Sequence, residues 1–180
     1  MAHGGSTYRD LVATYVDAVF GPRGVTVYTE VPVGKTIIGK DRHVDVLLVR
    51  EADQRALAIE CKWQSGSGTA DEKIPYALQD IEAMWIPGCL AYGGAGWSKG
   101  VLHTLEGSRF AVLCEPERTS MRTKRTLELD HIVSAVFGFW DLVLPAKRLF
   151  RPSAQIGFGF AGPRSVRPQE AKAQKASGGD

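Results

Sequence analysis

The ten residues from Arg55 to Gln64 constrain this chain more than any other stretch, because they place charges inside an apolar strand pattern. The segment reads Arg-Ala-Leu-Ala-Ile-Glu-Cys-Lys-Trp-Gln. Side chains of a strand alternate between the two faces of a sheet, so Glu60 and Lys62 share one face. Carboxylates and ammonium groups are rarely buried unless they are paired or hold a metal. Asp45 is the candidate partner.

Asp45 lies in the preceding strand pattern, His43 to Val49, and the hairpin Glu51 to Arg55 connects the two segments. Facing side chains of adjacent antiparallel strands are about 5 Å apart. Two carboxylates at this separation repel each other unless a divalent cation lies between them. Such oxygen ligands suit Mg²⁺, which also takes water and substrate phosphate oxygens. Lys62 could then orient a metal-bound water and stabilise charge developing on the phosphate.

The pattern acidic-x-Lys is not specific by itself, because it occurs at Glu60–Lys62, at Asp71–Lys73 and at Glu170–Lys172. The second copy falls at a predicted helix start, where residues i and i+2 do not face each other. The third falls in the polar C-terminal segment. Only the first ends an apolar strand and follows an acidic strand residue by 15 positions, and this context carries the prediction.

The rest of the chain predicts helices and strands in alternation. An amphipathic stripe from Tyr8 to Phe20 predicts a helix, and Gly24 to Val33 predicts a strand with its four valines on one face. After the charged strand we expect a helix from about Thr69 to Trp85, a short strand at Cys89–Tyr92 and a tight turn or close backbone approach at Gly93–Gly96. The remaining elements are a short helix at Leu102–Leu105, a strand at Phe110–Cys114 and a last helix capped by Asp130 and ended by Pro145.

Length and composition favour one domain. With 180 residues, 44 % of them apolar, we expect a single domain over 1–161 and a basic, disordered tail over 162–180. The three cysteines are far apart and form no Cys-x-x-Cys pair, which argues against a disulfide framework or a zinc ribbon. We expect no membrane span and, because the N-terminus lacks signal-peptide character, a cytoplasmic protein.

Charge is unevenly distributed along the chain. Residues 1–115 carry 11 basic and 14 acidic side chains, whereas residues 116–180 carry 11 basic and 6 acidic ones. The C-terminal part is therefore the better surface for a polyanion, although a basic tail without a specific partner would look the same. The candidate phosphate-binding residues of its polar loop are Arg118, Arg122, Lys124 and Arg125.

These residues and this element order resemble the PD-(D/E)XK superfamily of restriction-endonuclease-like nucleases. The resemblance implies an α/β (α+β) fold, with a mixed sheet of about five strands flanked by helices around an αβββαβ core. It also implies that Asp45 and Glu60 bind the metal and that Lys62, with them, is catalytic. One position departs from the pattern, since Val44 rather than proline precedes Asp45.

Further residues are weaker candidates for the same site. Glu30 resembles the additional acid that some members supply, and Gln64 is an auxiliary candidate that could equally be a loop residue. His43, two residues before Asp45, could face the site or simply be exposed. Near the start of the helix after the charged strand, the candidates for contact with a backbone phosphate are Lys73, Tyr76 and Gln79.

The function expected from these features is a Mg²⁺-dependent endonuclease that hydrolyses DNA with a metal-activated water. Mn²⁺ should substitute for Mg²⁺, and a homodimer is expected because a restriction-type enzyme cuts two strands. A structure-selective nuclease would have the same sequence features. One alternative is a catalytically silent nucleic-acid-binding or assembly subunit with this fold, against which the intact Asp, Glu and Lys argue. The other, a non-nucleolytic enzyme or ligand module on an unrelated α/β fold, lacks a glycine-rich phosphate loop.

Overall fold

Five strands form one mixed sheet, in the spatial order β1-β2-β3-β4-β5. The computed structural model describes residues 5–66, 70–117, 121–144 and 146. Strands β1, β2 and β3 pair in antiparallel fashion, whereas β3–β4 and β4–β5 are parallel. The strand bounds are Val25–Lys35 (β1), Asp41–Arg50 (β2), Ala56–Trp63 (β3), Gly88–Gly93 (β4) and Ala111–Leu113 (β5).

The helices and strands follow one another along the chain in the predicted order, with the last helix divided in two. None of the described helices is long and apolar enough to cross a membrane. A three-residue 3₁₀ turn, Gly21–Arg23, links the first helix to β1. The helix bounds are Gly5–Phe20 (α1), Ala70–Glu82 (α2), Lys99–Gly107 (α3), Leu127–Phe137 (α4) and Trp140–Val143 (α5).

Helices cover both faces of the sheet. On one face, α1 and α4 bury a large apolar cluster that includes Tyr8, Phe20 and Phe137 against the strands. On the other, α2 and α3 pack through Ile74 and Leu105 onto β4. Each fully buried side chain of this size contributes about 1.5–3 kcal/mol. The fold class expected from the sequence, a mixed five-stranded sheet flanked by helices, is therefore confirmed.

Strand β1 changes faces at Glu30, which the alternation of its valines did not predict. Val25 and Val27 pack into the cluster on the α1 side, but Val31 and Val33 pack into a separate cluster on the opposite face. Glu30 has a φ of 56°, a left-handed conformation that is uncommon for residues other than glycine. This local twist reverses the period-two pattern, so the expectation that all four valines share a face is wrong.

The last predicted helix is divided in two. Helix α4 starts after Thr126 and ends at Gly138, whose φ of 78° is the left-handed conformation typical of helix ends. Asp130 does not cap this helix but lies fully buried inside it. The apolar pattern continues across Gly138 because Phe139 and Leu142 also pack against the core. The sequence pattern therefore did not indicate that the helix ends at Gly138.

The described residues from 5 to 144 belong to one compact unit, Met1–Pro145. Of a second unit, Ala146–Asp180, only residue 146 is described. The predicted domain end at residue 161 and the predicted tail over 162–180 lie outside the described residues.

Candidate active site

The candidate site lies where strands β2 and β3 stop pairing. The last registered pair is Val46 with Ile59, and one further step would place Asp45 opposite Glu60. Instead of continuing the ladder, the Cys61 N–H donates a hydrogen bond of 2.7 Å to Oδ2 of Asp45. A carboxylate thus takes the place of a backbone acceptor, which keeps a buried N–H paired at the point where the strands separate.

Glu60 and Lys62 form an ion pair on the face of β3 that carries Ala58. The Lys62 Nζ contacts Oε1 of Glu60, and the two side chains are only 20 % and 29 % exposed, respectively. Burial raises the pKa of the Glu60 carboxyl, and Asp45 raises it further, while Lys62 acts in the opposite direction without offsetting them. Burial lowers the pKa of Lys62, but the Glu60 carboxylate outweighs it and the net pKa is raised.

Asp45 therefore acts on the pair electrostatically. Its charge raises the pKa values of Glu60, Cys61 and Lys62. Two half-buried carboxylates close together are unfavourable without a cation. The structure thus brings together the three residues that the sequence singled out.

The donor set suits a divalent cation with few protein ligands. Two carboxylates together with water and phosphate oxygens are the usual ligands of Mg²⁺ in phosphoryl-transfer sites. Within the described part of the chain, no group of three or more His, Cys, Asp or Glu side chains has metal-binding geometry. A cation at Asp45 and Glu60 would accordingly rely on non-protein oxygens for much of its coordination.

A pocket of about 330 Å³ opens beside the ion pair. Glu60 and Lys62 line one side, and Lys73 and Tyr76 of α2 line another. His43 also contributes to the lining. Lys73, Tyr76 and His43, all weak candidates from the sequence, thus lie next to the charged pair; Gln79 is exposed and does not line this pocket.

Gln64, two residues after Lys62, connects three segments of the chain through hydrogen bonds. It is 5 % exposed, and its Nε2 donates to Oδ1 of Asp71 at 2.6 Å and to the Gly96 carbonyl at 2.9 Å. Its Oε1 is buried and has no hydrogen-bond partner among the described residues. Gln64 therefore links the end of β3 to the start of α2 and to the loop after β4.

The glycines of that loop make the close backbone approach that the sequence predicted. Gly94 has a φ of 92°, and a Cβ there would overlap the Gln64 backbone. A Cβ at Gly96 would overlap the backbone of Gly66. Residues with side chains would force the loop away from the end of β3.

Glu30 lies opposite Asp45 in the β1–β2 register, between the pairs Thr29–Val46 and Val31–Val44. Its carboxylate is exposed and pairs with Arg9 of α1. It does not line the pocket beside Glu60. The structure thus places Glu30, the predicted auxiliary acid, at the point where β1 changes faces. It is paired there with Arg9 of α1, the helix on the sheet face opposite the pocket.

Two of the basic loop residues already bind acidic partners. The Arg122 Nε donates to Oδ2 of the buried Asp130 at 2.8 Å, and Arg125 pairs with Glu115. Lys124 is exposed. Arg118 lies outside the described residues.

An ion pair at the pocket, Arg42 with Asp80, was not predicted from the sequence. Arg42, 8 % exposed, donates to the Asp80 carbonyl at 3.0 Å and to its Oδ1 at 3.3 Å, which ties β2 to α2. The signal was available, because Arg42 alternates with the apolar Val44, and both residues are buried. An arginine in such a position requires a partner.

One family model matches most of the chain. This model, described as a PD-(D/E)XK nuclease superfamily domain, matches residues 4–140. None of the curated proteins compared with the chain matches it. A solved structure, the crystal structure of a protein of unknown function, AF1548, is similar with a TM-score of 0.42 and 15 % identity over 71 % of this chain. The chain covers 66 % of that protein, just under two thirds.

Nucleases of this superfamily generally use divalent metals, as the donor set at Asp45 and Glu60 would allow. The match spans every described strand and the helices from α1 to α4, and it includes the segment in which Glu60 and Lys62 lie. The chain therefore belongs to the PD-(D/E)XK nuclease superfamily.

Proposed function

We propose that this chain is a metal-dependent endonuclease that hydrolyses phosphodiester bonds in DNA, with Mg²⁺ as its cation and Mn²⁺ as a working substitute. The observation that carries the proposal is the Glu60–Lys62 pair beside an open pocket, with Asp45 bonded to the backbone between them. Acids facing a phosphate backbone weaken binding unless a cation neutralises them. An intact acidic pair therefore favours catalysis over a binding role.

Each residue has a distinct part in this proposal. Asp45 and Glu60 would hold the cation, which when bound would neutralise both carboxylates and supply a nucleophilic water. Release of Lys62 from Glu60 would free its ammonium to face the phosphate. There it would orient the nucleophile and stabilise the charge that develops on the phosphate oxygens. Its buried stem restricts where the ammonium can lie, which favours preorganisation.

The enzyme would be of one of the two kinds expected from the sequence, a restriction-type or a structure-selective endonuclease. A restriction-type enzyme that cuts both strands would act as a homodimer, with one site for each strand. A structure-selective enzyme would prefer branched or partly unpaired DNA.

Cleavage of supercoiled, linear, single-stranded and branched DNA with Mg²⁺, Mn²⁺ or EDTA tests this function. The proposal expects cleavage with either metal, none with EDTA, and none by Glu60→Gln. The matched control is Glu106→Gln, an exposed glutamate of α3 that does not line the pocket. Metal-independent cleavage, or full activity of Glu60→Gln, would overturn the proposal.

A further inference from the structure

The pocket beside Glu60 and Lys62 has features that a phosphate site does not need. Its volume of about 330 Å³ is at the lower end of the range of about 300–1,000 Å³ for small-molecule sites. Part of its wall is apolar and includes Val44, Ile81 and Met84. A phosphate group would gain nothing from such a wall, whereas a flat uncharged ring would be desolvated by it.

The charges of the lining residues balance. Three cationic and three anionic side chains line the pocket: Arg42, Lys62, Lys73, Asp41, Glu60 and Asp80. Arg42 and Asp80 already pair with each other, as do Lys62 and Glu60. Without a bound cation, a pocket lined by equal numbers of cationic and anionic side chains is a poor site for a terminal phosphate, which favours a neutral guest.

The polar groups of the pocket can still recognise a ring edge. Arg42 uses its Nη2 for Asp80, and its other guanidinium N–H groups have no hydrogen-bond partner among the described residues. Such donors match the carbonyl and ring-nitrogen acceptors of nucleobases. Tyr76 also lines the pocket and is 51 % exposed, so its aromatic side chain is accessible to a guest.

We infer that this pocket receives one unstacked nucleobase of the strand whose phosphate lies at Glu60 and Lys62, with Tyr76 as the stacking platform. The inference rests on the proposed function, because it places the scissile strand at that ion pair. It narrows the substrate to DNA with an unpaired nucleotide at the cleavage position. A base inside an intact duplex is stacked on both sides and cannot enter without being extruded.

Binding in EDTA tests the inference without any cleavage. The probes are two short fluorescent single strands of equal length, one of thymidines and one of abasic nucleotides, titrated with the full chain. Stacking on an aromatic ring contributes enough per base that wild type should bind the thymidine strand about tenfold more tightly. Tyr76→Ala should remove most of that preference, and Tyr76→Phe should keep it.

Tyr28→Ala is the matched control, because Tyr28 is 49 % exposed and does not line the pocket. It should keep the tenfold preference. Equal binding of the two strands by wild type, or an unchanged preference in Tyr76→Ala, would overturn the inference.

The source of the base is settled by two further probes, a fully paired duplex and the same duplex with one unpaired thymidine. Tighter binding of the second duplex would assign the pocket to an extrahelical base, and a preference confined to the single strand would assign it to single-stranded DNA. The nuclease proposal fails separately. A base preference without cleavage of any DNA would leave the pocket assignment intact, and cleavage without a base preference would remove the pocket assignment alone.

Discussion

The carboxylate of Asp45 accepts a hydrogen bond from the Cys61 backbone N–H at 2.7 Å, at the residue between Glu60 and Lys62. The acid on β2 is thereby fixed to the backbone that carries the two charged residues of β3. One oxygen of Asp45 has a structural partner and the other has no hydrogen bond among the described residues. Asp45 therefore contributes both to the local fold and to the candidate metal site.

Substitution of Asp45 should separate these two contributions. Asp45→Asn keeps an oxygen that can accept from Cys61, whereas Asp45→Ala leaves a buried N–H without a partner. We expect Asp45→Ala to be less stable than Asp45→Asn by about 1–3 kcal/mol in urea unfolding, with both variants inactive. Equal stability would show that the hydrogen bond contributes nothing, and cleavage by Asp45→Asn would remove Asp45 from the metal site.

The close approach of Gly94 to Gln64 predicts a large cost for a single methyl group. Gly94→Ala would combine overlap with the Gln64 backbone and a positive φ, and we expect a loss of about 1–3 kcal/mol. Gly100→Ala is the control, since a Cβ there has no neighbour within 4 Å and α3 should gain about 0.5–1 kcal/mol. Opposite effects on the melting temperature are expected, and a neutral Gly94→Ala would contradict the described contact.

The basic loop should divide into structural and free cations. Arg122 neutralises Asp130, whose side chain is 1 % exposed, so Arg122→Ala should destabilise the protein by about 2 kcal/mol. Lys124→Ala should change stability by less than about 0.5 kcal/mol. If the loop contacts DNA as the sequence predicted, Lys124→Ala should also reduce the salt dependence of DNA binding. A stable Arg122→Ala variant that binds DNA weakly would instead assign Arg122 to DNA contact and contradict its structural role.

Metal binding should weaken as the pH falls. The weakening should begin at a higher pH than at a site whose carboxylates have ordinary pKa values. The cation binds the ionised form of Glu60, whose pKa is raised by burial and by Asp45, so protons compete with the metal. The increase in melting temperature on adding Mg²⁺ should therefore shrink as the pH drops toward that raised pKa. Glu60→Gln should show little increase at any pH, and Glu106→Gln should follow wild type.

The same raised pKa has a consequence without metal. Because the folded Glu60 holds its proton to higher pH than the unfolded chain, its contribution to stability is present at low pH and is lost as the pH rises through its folded pKa. Relative to wild type in EDTA, Glu60→Gln should therefore become more stable as the pH rises from the acidic range to neutral. A constant difference across this range would argue against the raised pKa.

Local patterns were sufficient to predict the element order and the meeting of Asp45, Glu60 and Lys62. Strand alternation and a short hairpin already place these residues on adjacent strands, and the register agrees with that placement. The pattern was also sufficient for the close approach within Gly93–Gly96, where a Cβ at Gly94 or Gly96 would overlap neighbouring backbone.

Features set by tertiary contacts were not predictable in this way. The reversal of β1 depends on the backbone conformation of Glu30, which period-two alternation does not encode. The pairing of Arg122 with Asp130 joins residues that read separately as a phosphate-binding cation and a helix cap. In each case a long-range or conformational preference overrode the local pattern.

Lys62 gives the most direct test of the proposed function. A catalytic ammonium distinguishes an active nuclease from an inactive protein of the same fold that still binds metal. Lys62→Ala should bind DNA and Mg²⁺ nearly as wild type does, since the two carboxylates remain. Lys62→Arg should not restore cleavage, because its planar fork does not reproduce a compact charge. Lys99→Ala, at an exposed lysine of α3 outside the pocket, is the control and should cleave normally.

Single-turnover cleavage of DNA by Lys62→Ala, with saturating enzyme and Mg²⁺, measures the chemical step apart from binding. We expect a rate slower than wild type by about a hundredfold or more, the loss typical of one preorganised electrostatic donor. A rate within about threefold of wild type would contradict this expectation and would reduce the Glu60–Lys62 pair to a structural ion pair.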